Sequence, residues 1–456
     1  RGGGHHELVG PVDHAQPHRV GLVVAAVDEH KPVVLAGDGV DRVDVLGLDA
    51  VGVHDNFLEL GGDSILSIQV IGRAAREGLR LTPRQLFERP TVAGLADVAV
   101  PSVAPPVVNQ RPIEGEAQTS PIQRWFVAER FAQPHHWNQA VSLAIAPMWT
   151  QAVLAAGLRA VIEQHDALRL GFTGERGWHG PPPERVPVET LDLSATALER
   201  RDAATAAAAT QLQASMRLTD PPLLRALRVD RGAEGVFLVL AIHHLVVDAV
   251  SWRIVLDDLA RACDAIIVGK TVDLGPKSSS WQRWVLTQRA LVRDGALAEA
   301  RIYWEKLVAA PVATLPTTPP SSSSPAIRGV VVALDPEHTE LLLRGASRAY
   351  RTRINDLLVA ALAMALGRWT GHDTVGVLLE GHGREEALVG ELDVSRTIGW
   401  FTTMFPVRIE LPRSGDLGQV IKATKEHLRG IPHEGASYGM LRWLGDGGDA
   451  LALPEG

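Results

Sequence analysis

The sequence predicts a multidomain chain, a small all-α bundle followed by a larger domain of interleaved strands and helices, and three observations predict it. Apolar residues recur at helical spacing just after residue 60. A Pro-rich stretch, PSVAPPVVNQRPIEGE (101–116), has no helical period and reads as an extended linker. Beyond it, apolar runs of strand length alternate with amphipathic runs of helix length, so the large domain is α/β or α+β.

In the small bundle, Ile65, Ile68 and Ile71 recur every three residues and Ala75 follows four later, which is one face of a helix. Asp63 or Ser64 can cap its start and Gly78 can end it. LTPRQLFERPTVAGLADVA then gives a turn and another short helix. In the large domain, GVFLVLAIHHL (235–245) reads as a buried strand. SWRIVLDDLARACDAI (251–266) reads as a helix with Trp252, Val255, Leu256, Leu259 and Cys263 on one side. LLVAALAMALGRW (357–369) is apolar nearly all round and predicts a buried helix, while PTTPPSSSSPAIRG (316–329) predicts a flexible surface loop. Residues 1–45 hold no sustained period and stay unassigned, as a diverged or disordered leader. His5 and His6 lie there without a second ligand pair at metal spacing, and no metal site is implied.

Composition excludes several function classes. The chain of 456 residues is 46% hydrophobic and 21% charged, an ordinary globular balance. Its net charge is −8 with no dense Lys/Arg stripe, which argues against nucleic acid as a partner. No apolar run approaches the ~20 residues of a membrane-spanning helix. The first residues lack the pattern of a secretory signal. The single cysteine, Cys263, cannot form an internal disulfide, and a cytoplasmic location is expected.

Three places carry candidate chemistry. Gly61-Gly62-Asp63-Ser64 sets a serine at the mouth of a helix, where unpaired N–H groups suit a phosphate; it also reads simply as an N-cap. His243 and His244 end an apolar strand, with Asp248 close enough along the loop to orient a ring or pair with an Arg. Adjacent strand residues face opposite sides, so the two histidines cannot share a role; both could equally be core histidines. Glu380 ends the apolar strand Val375–Leu379 just before Gly-His-Gly, as a buried carboxylate suited to acid/base work or as a surface residue in a turn.

DNFLELGGDSI (55–65), within a match from Val51 to about Val98, resembles the peptidyl carrier domains of nonribosomal peptide synthetases. That resemblance implies 4′-phosphopantetheine attached to Ser64, and GGDS is typical of carriers that precede an epimerization domain. Over about 117–445 the chain resembles the epimerization domains of the same synthetases, relatives of condensation domains. The motifs are SPIQRWF (120–126), SSSWQRW (278–284), HHLVVDAVSWRIVLDDL (243–259), EGHGRE (380–385), RTIGWFTTMFPV (396–407) and HEGASYGMLRWL (433–444). The resemblance implies a four-helix carrier over 46–100, then a two-lobed α/β domain like the chloramphenicol acetyltransferase folds, with lobes at 117–285 and 286–456.

By that resemblance His244 and Glu380 form the catalytic pair, His243 and Asp248 hold the loop, and Tyr438 supplies a further polar group. The implied reaction is inversion of the α-carbon of an aminoacyl or peptidyl thioester. Removing the α-proton gives a planar enolate, and inversion needs acid/base groups on both of its faces. His382 and Arg384 are read as shaping a turn. The implied partners are a phosphopantetheinyl transferase, an upstream adenylation domain and a downstream condensation domain. Two alternatives share these residues: a condensation domain forming peptide bonds, and an inactive module that docks carriers. Two departures stand out. Ala249 replaces the usual glycine after the motif Asp, with a cost if that position needs positive φ. The chain also stops before the family's FNYLG motif, so an incomplete second lobe is expected.

Overall fold

A computed structural model describes residues 51–57, 79–81, 83–101, 108–311, 315–316, 330–385, 392–412 and 416–453, with single positions between 59 and 74 and at 388. The chain divides after Val103 into a small unit and a large one, Ala104–Gly456. The leader at 1–45, and Ile65, Ile68, Ala75 and Gly78 of the expected helix, lie outside the described residues, as does nearly all of the 316–329 loop.

In the small unit Leu66, Ser67, Val70, Ile71 and Ala74 are helical, and two short helices follow, Pro83–Glu88 (α1) and Val92–Ala96 (α2). Thr91 caps α2 by accepting the Gly94 N–H at 3.0 Å. Ile71, Ala74 and Leu81 form its buried centre. A two-residue strand pair, Leu79–Arg80 (β1) with Val100–Pro101 (β2), has no signature in the sequence, because two residues are too few to show a period.

The large unit opens with Gly115–Ala117 (β3), which with Leu170–Thr173 (β5) and Arg176–His179 (β6) makes an antiparallel sheet in the order β3-β6-β5. Upstream, Lys277 N–H donates to the Gln110 side chain at 2.8 Å and Ile113 N–H to Asp166 at 3.3 Å. Gln110 and Ile113, within the expected linker, are thus bonded to this unit. An extended linker and a short edge strand share one backbone shape, so sequence does not separate them.

A four-stranded sheet holds Asn138–Ile145 (β4), Val188–Asp192 (β7), Leu224–Asp230 (β8) and Val236–His243 (β9), in the order β4-β9-β8-β7. Only β7 and β8 run parallel. β9 is buried at nearly every position, consistent with its unbroken apolar run. Pro121–Ala128 (α3), Gln151–Gln164 (α4), Leu198–Ala214 (α5) and Ala249–Ile267 (α6) cover the sheets, with α4 packed on α6. Ser120 and Gln123 form a reciprocal capping box at the start of α3. On α6, Trp252, Val255, Leu259 and Cys263 are buried, as their spacing predicts. Burial pushes the Cys263 thiol up to about 12, so it is an inert core residue.

Trp281–Arg293 (α7) spans the two cores, with Trp281, Trp284 and Val285 in the first and Leu291 and Val292 against the second. The second lobe contains Ala298–Ala309 (α8), Ile354–Thr370 (α9), Leu417–Arg429 (α10), Ala436–Leu444 (α11) and one antiparallel pair, Thr374–Gly381 (β10) with Thr403–Glu410 (β11). Its core gathers Trp304, Val359, Val375, Phe405, Val407 and Tyr438. The expectation that α9 is buried all round is corrected. Leu357, Val359, Ala360 and Ala363 are buried, whereas Leu358 is 52% and Trp369 60% exposed. One face of α9 meets β10 and α10, and the other is exposed at Leu358, Leu362 and Trp369.

Candidate active site

The histidine loop is built by the end of β9 and the start of α6. β4 pairs with β9 so that Asn138 stands opposite His243. The Trp137 carbonyl then accepts the His244 N–H at 2.9 Å, which brings Gln139 beside His244. His243 is fully buried: it accepts the Leu245 N–H at 3.1 Å, and its other ring nitrogen lies 2.8 Å from the Pro134 carbonyl. Burial pushes His243 down to about 4, so it stays neutral at ordinary pH.

His244 forms part of a one-turn 3₁₀ segment and is half-buried. Its Nδ1 lies 2.8 Å from the Val247 carbonyl and its Nε2 3.0 Å from the Gln139 amide nitrogen. The Gln139 amide oxygen accepts from Trp252 Nε1 at 2.7 Å. Trp400 lies against the imidazole, ring centroids 4.4 Å apart.

Asp248 does structural work in three directions. It caps α6 by accepting the Ser251 N–H at 2.7 Å, accepts the Phe401 N–H at 3.1 Å, and lies 3.3 Å from an Arg384 nitrogen. Arg384 is 3% exposed. It donates to the Val394 and Thr397 carbonyls at 2.8 Å and to Ser251 Oγ at 3.0 Å, with its guanidinium over the Phe401 ring. Gly383, at φ +68°, allows this: a β-carbon there would overlap the Phe401 carbonyl. Ala249 is the first residue of α6 and is absent from the positive-φ positions, so no glycine is required there. The cost expected for Ala249 does not arise.

Glu380 lies within β10 and is exposed, which decides against the buried one of its two readings. β10 alternates: Val375, Val377 and Leu379 turn toward the second-lobe core, and Gly376, Leu378 and Glu380 turn away. Glu380 pairs with Met404, which packs against the first-lobe core, so the carboxylate stands on the face directed to the first lobe. No hydrogen bond or ion pair among the described residues involves that carboxylate. Trp400, against His244, and Met404, opposite Glu380, are four residues apart, a run of at most about 14 Å. One segment therefore ties together the surroundings of both groups.

Tyr438 belongs to the second-lobe core. Its hydroxyl donates to the Leu451 carbonyl at 2.7 Å, and burial pushes it up to about 12. It is a fastened group rather than a free acid or base. Its ring borders a cavity of about 530 Å³ between the lobes, with Trp125, Trp284, Leu378, Phe401 and Met404 among the walls. Leu378 and Met404 place this cavity along the Glu380 face of β10–β11. Sequence reasoning misses Gln139 and reaches Trp252 and Trp400 only as members of motifs, with no role assigned. The one available signal for Gln139 is the Asn-Gln pair opening an otherwise apolar strand, NQAVSLAI.

Ser64 and Asp63 lie outside the described residues. The approach to them is described: Gly62 N–H donates to the Phe57 carbonyl at 2.8 Å, and a β-carbon at 62 would overlap the Phe57 ring. Position 62, two residues ahead of the serine, therefore has no room for a side chain beside the Phe57 ring.

A phosphopantetheine attachment domain matches residues 43–99, and the condensation domain matches residues 113–446. The chain belongs to the condensation-domain family. With the attachment domain ahead of it, it forms a carrier-plus-condensation-family fragment of a nonribosomal peptide synthetase. It is 41% identical over 410 residues to a linear gramicidin synthase of Brevibacillus parabrevis, covering 88% of this chain and 8% of that protein. It is 41% identical over 419 residues to chondramide synthase of Chondromyces crocatus, covering 90% of this chain and 11% of that protein. The chain thus spans a small part of these relatives. Among solved structures, the epimerization domain from the third module of tyrocidine synthetase B is 35% identical with a TM-score of 0.67, covering 74% of this chain and 76% of that one. The first condensation domain of the calcium-dependent antibiotic synthetase, 22% identical with a TM-score of 0.58 and covering 73% and 79%, shares the fold. Among the described residues, no helix is long and apolar enough to cross a membrane.

Proposed function

We propose that the condensation-family domain inverts the α-carbon of an aminoacyl or peptidyl group carried on Ser64. The observation that carries this reading is Glu380: an exposed carboxylate without a described partner, on the inter-lobe face and joined by the Trp400–Met404 run to the surroundings of His244. Inversion needs two acid/base groups, one for each face of the α-carbon. Likeness to a tyrocidine synthetase epimerization domain supports the same choice over condensation.

Phosphopantetheine, when attached, supplies the thiol that holds the amino acid as a thioester. The rest falls to side chains. His244, set by Val247 and Trp400, exchanges a proton at Nε2 with one face of the α-carbon. Glu380 exchanges a proton at its carboxylate with the other. His243 and Asp248 hold the loop, and Arg384 fixes that loop to the crossing segment, residues 394–401. The selecting adenylation domain and the accepting condensation domain belong to the longer assembly line, with a phosphopantetheinyl transferase to load Ser64.

The test loads Ser64 with an L-aminoacyl-phosphopantetheine, hydrolyses the product and separates the enantiomers. A D fraction is expected in the chain alone. A second arm adds a carrier-bound acceptor amine. Dipeptide formed there, with the donor still L, would establish condensation instead.

A further inference from the structure

Three groups around His244 have hydrogen-bonding atoms of fixed type, and together they dictate where its proton sits. Trp252 Nε1 only donates. The end of the Gln139 amide 2.7 Å from it must therefore be the oxygen. The other end is the NH2, with no lone pair to offer, and it lies 3.0 Å from His244 Nε2. On the opposite side of the ring, the Val247 carbonyl only accepts, 2.8 Å from Nδ1. A single assignment satisfies all three bonds. Nδ1–H donates to Val247, Nε2 holds a lone pair and accepts from Gln139, and the ring is neutral.

The alternatives are each blocked by a like-on-like contact. A proton on Nε2 would set N–H against N–H. Turning the Gln139 amide over to receive that proton would set its NH2 against the Trp252 N–H. Trp252 is itself held, 8% exposed in the first turn of α6, which Asp248 caps and Arg384 braces. The charged groups nearest in the wiring are the Asp248–Arg384 pair, which bond each other, Ser251 and the 394–401 segment rather than the imidazole. The adjacent His243 is neutral. No described carboxylate bonds the His244 ring.

We propose that Gln139, locked by Trp252, is a positioning residue that makes His244 the proton acceptor of the pair, with Nε2 as the accepting atom. This rests on the epimerization reading and adds to it the protonation state in which the pair begins. The α C–H displaces the amide N–H from the lone pair. Nε2 takes the α-proton while the bonding electrons stay with the substrate. Glu380 then delivers a proton taken from solvent to the opposite face, forming the new C–H bond. The cycle leaves imidazolium and carboxylate, and proton exchange with solvent restores the starting pair.

The experiment is nitrogen-15 NMR of the histidine side chains in the full chain at pH 7, with His244→Ala to assign the signal. Alpha-proton exchange is measured alongside. The wild type is expected to show His244 neutral with its proton on Nδ1. Gln139→Glu replaces the N–H donor with a charged acceptor, so an imidazolium is expected, with exchange down at least ~10-fold at pH 7 and recovering as pH rises. Gln139→Leu and Trp252→Phe keep the ring neutral and lower kcat several-fold with KM within about twofold. A proton on Nε2 in the wild type, or a Gln139→Glu ring that stays neutral, overturns the proposal. The predicted tautomer in a folded, loaded chain that exchanges no α-proton would instead overturn the epimerization reading and leave the protonation assignment standing.

Discussion

At the scale of single residues, the Asp248–Arg384 pair holds the histidine loop to the crossing segment. Both partners are almost fully buried, at 4% and 3% exposure. Burying an isolated charge is costly, and here the cost is offset by four hydrogen bonds from Arg384 and three received by Asp248. Removing one partner leaves the other uncompensated. Arg384→Leu is expected to cost about 3–5 kcal/mol, read as a lowered denaturation midpoint. Tyr438→Phe is a milder case. It leaves the Leu451 carbonyl without its donor, and a loss of about 1–3 kcal/mol is expected in the same measurement. Sequence makes Asp248 and the histidines visible because they cluster in a few residues at a strand end. The pairing of Asp248 with Arg384 is not legible there, since the partners come from distant segments that only the fold brings together. Gln139 is hidden for the same reason: its role exists only once β4 lies beside β9.

At the scale of elements, two readings drawn from apolar runs are decided for the same reason. The sequence leaves Glu380 either buried or at the surface and buries α9 all round. In each, one face of the element is packed and the other exposed. Period-2 alternation along β10 sends Leu379 to the core and Glu380 to the inter-lobe face, and composition alone does not reveal which face is covered. β9 and α6 are legible because they are covered as their patterns demand. The end of β9 also sets a pH dependence. His243 is pushed down to about 4 by burial, against a usual value of 6.5. The unfolded chain therefore takes up this proton first as pH falls. Above pH 6.5 both states are neutral and the group has no effect, and as pH falls toward 4 the folded state is destabilised progressively, by up to about 3 kcal/mol. Unfolding midpoints measured across that range should fall for wild type and fall less steeply for His243→Asn. Equal slopes in the two proteins would remove His243 as the cause.

At the scale of the whole molecule, the large unit brings two lobes to one cavity. Between β10 and β11, Arg384 and residues 394–401 bond to the histidine loop, and β11 then returns opposite Glu380. The order of motifs along the chain points to the family and its two-part plan, while the meeting point of the lobes depends on that crossing segment. The carrier's serine stands before the domain in sequence, with Gly62 packed on Phe57 just ahead of it. The central claim is that His244 and Glu380 act on opposite faces of one tethered α-carbon. The measurement that bears on it most directly is deuterium uptake at that carbon. The chain is loaded on Ser64 with an L-aminoacyl group, incubated in deuterated water and hydrolysed, and the amino acid is separated by chirality and weighed. Wild type is predicted to give deuterated D product, with His244→Ala and Glu380→Gln each reduced at least ~100-fold. Undiminished deuterated D product from Glu380→Gln, in protein shown to be folded and loaded, would contradict the account.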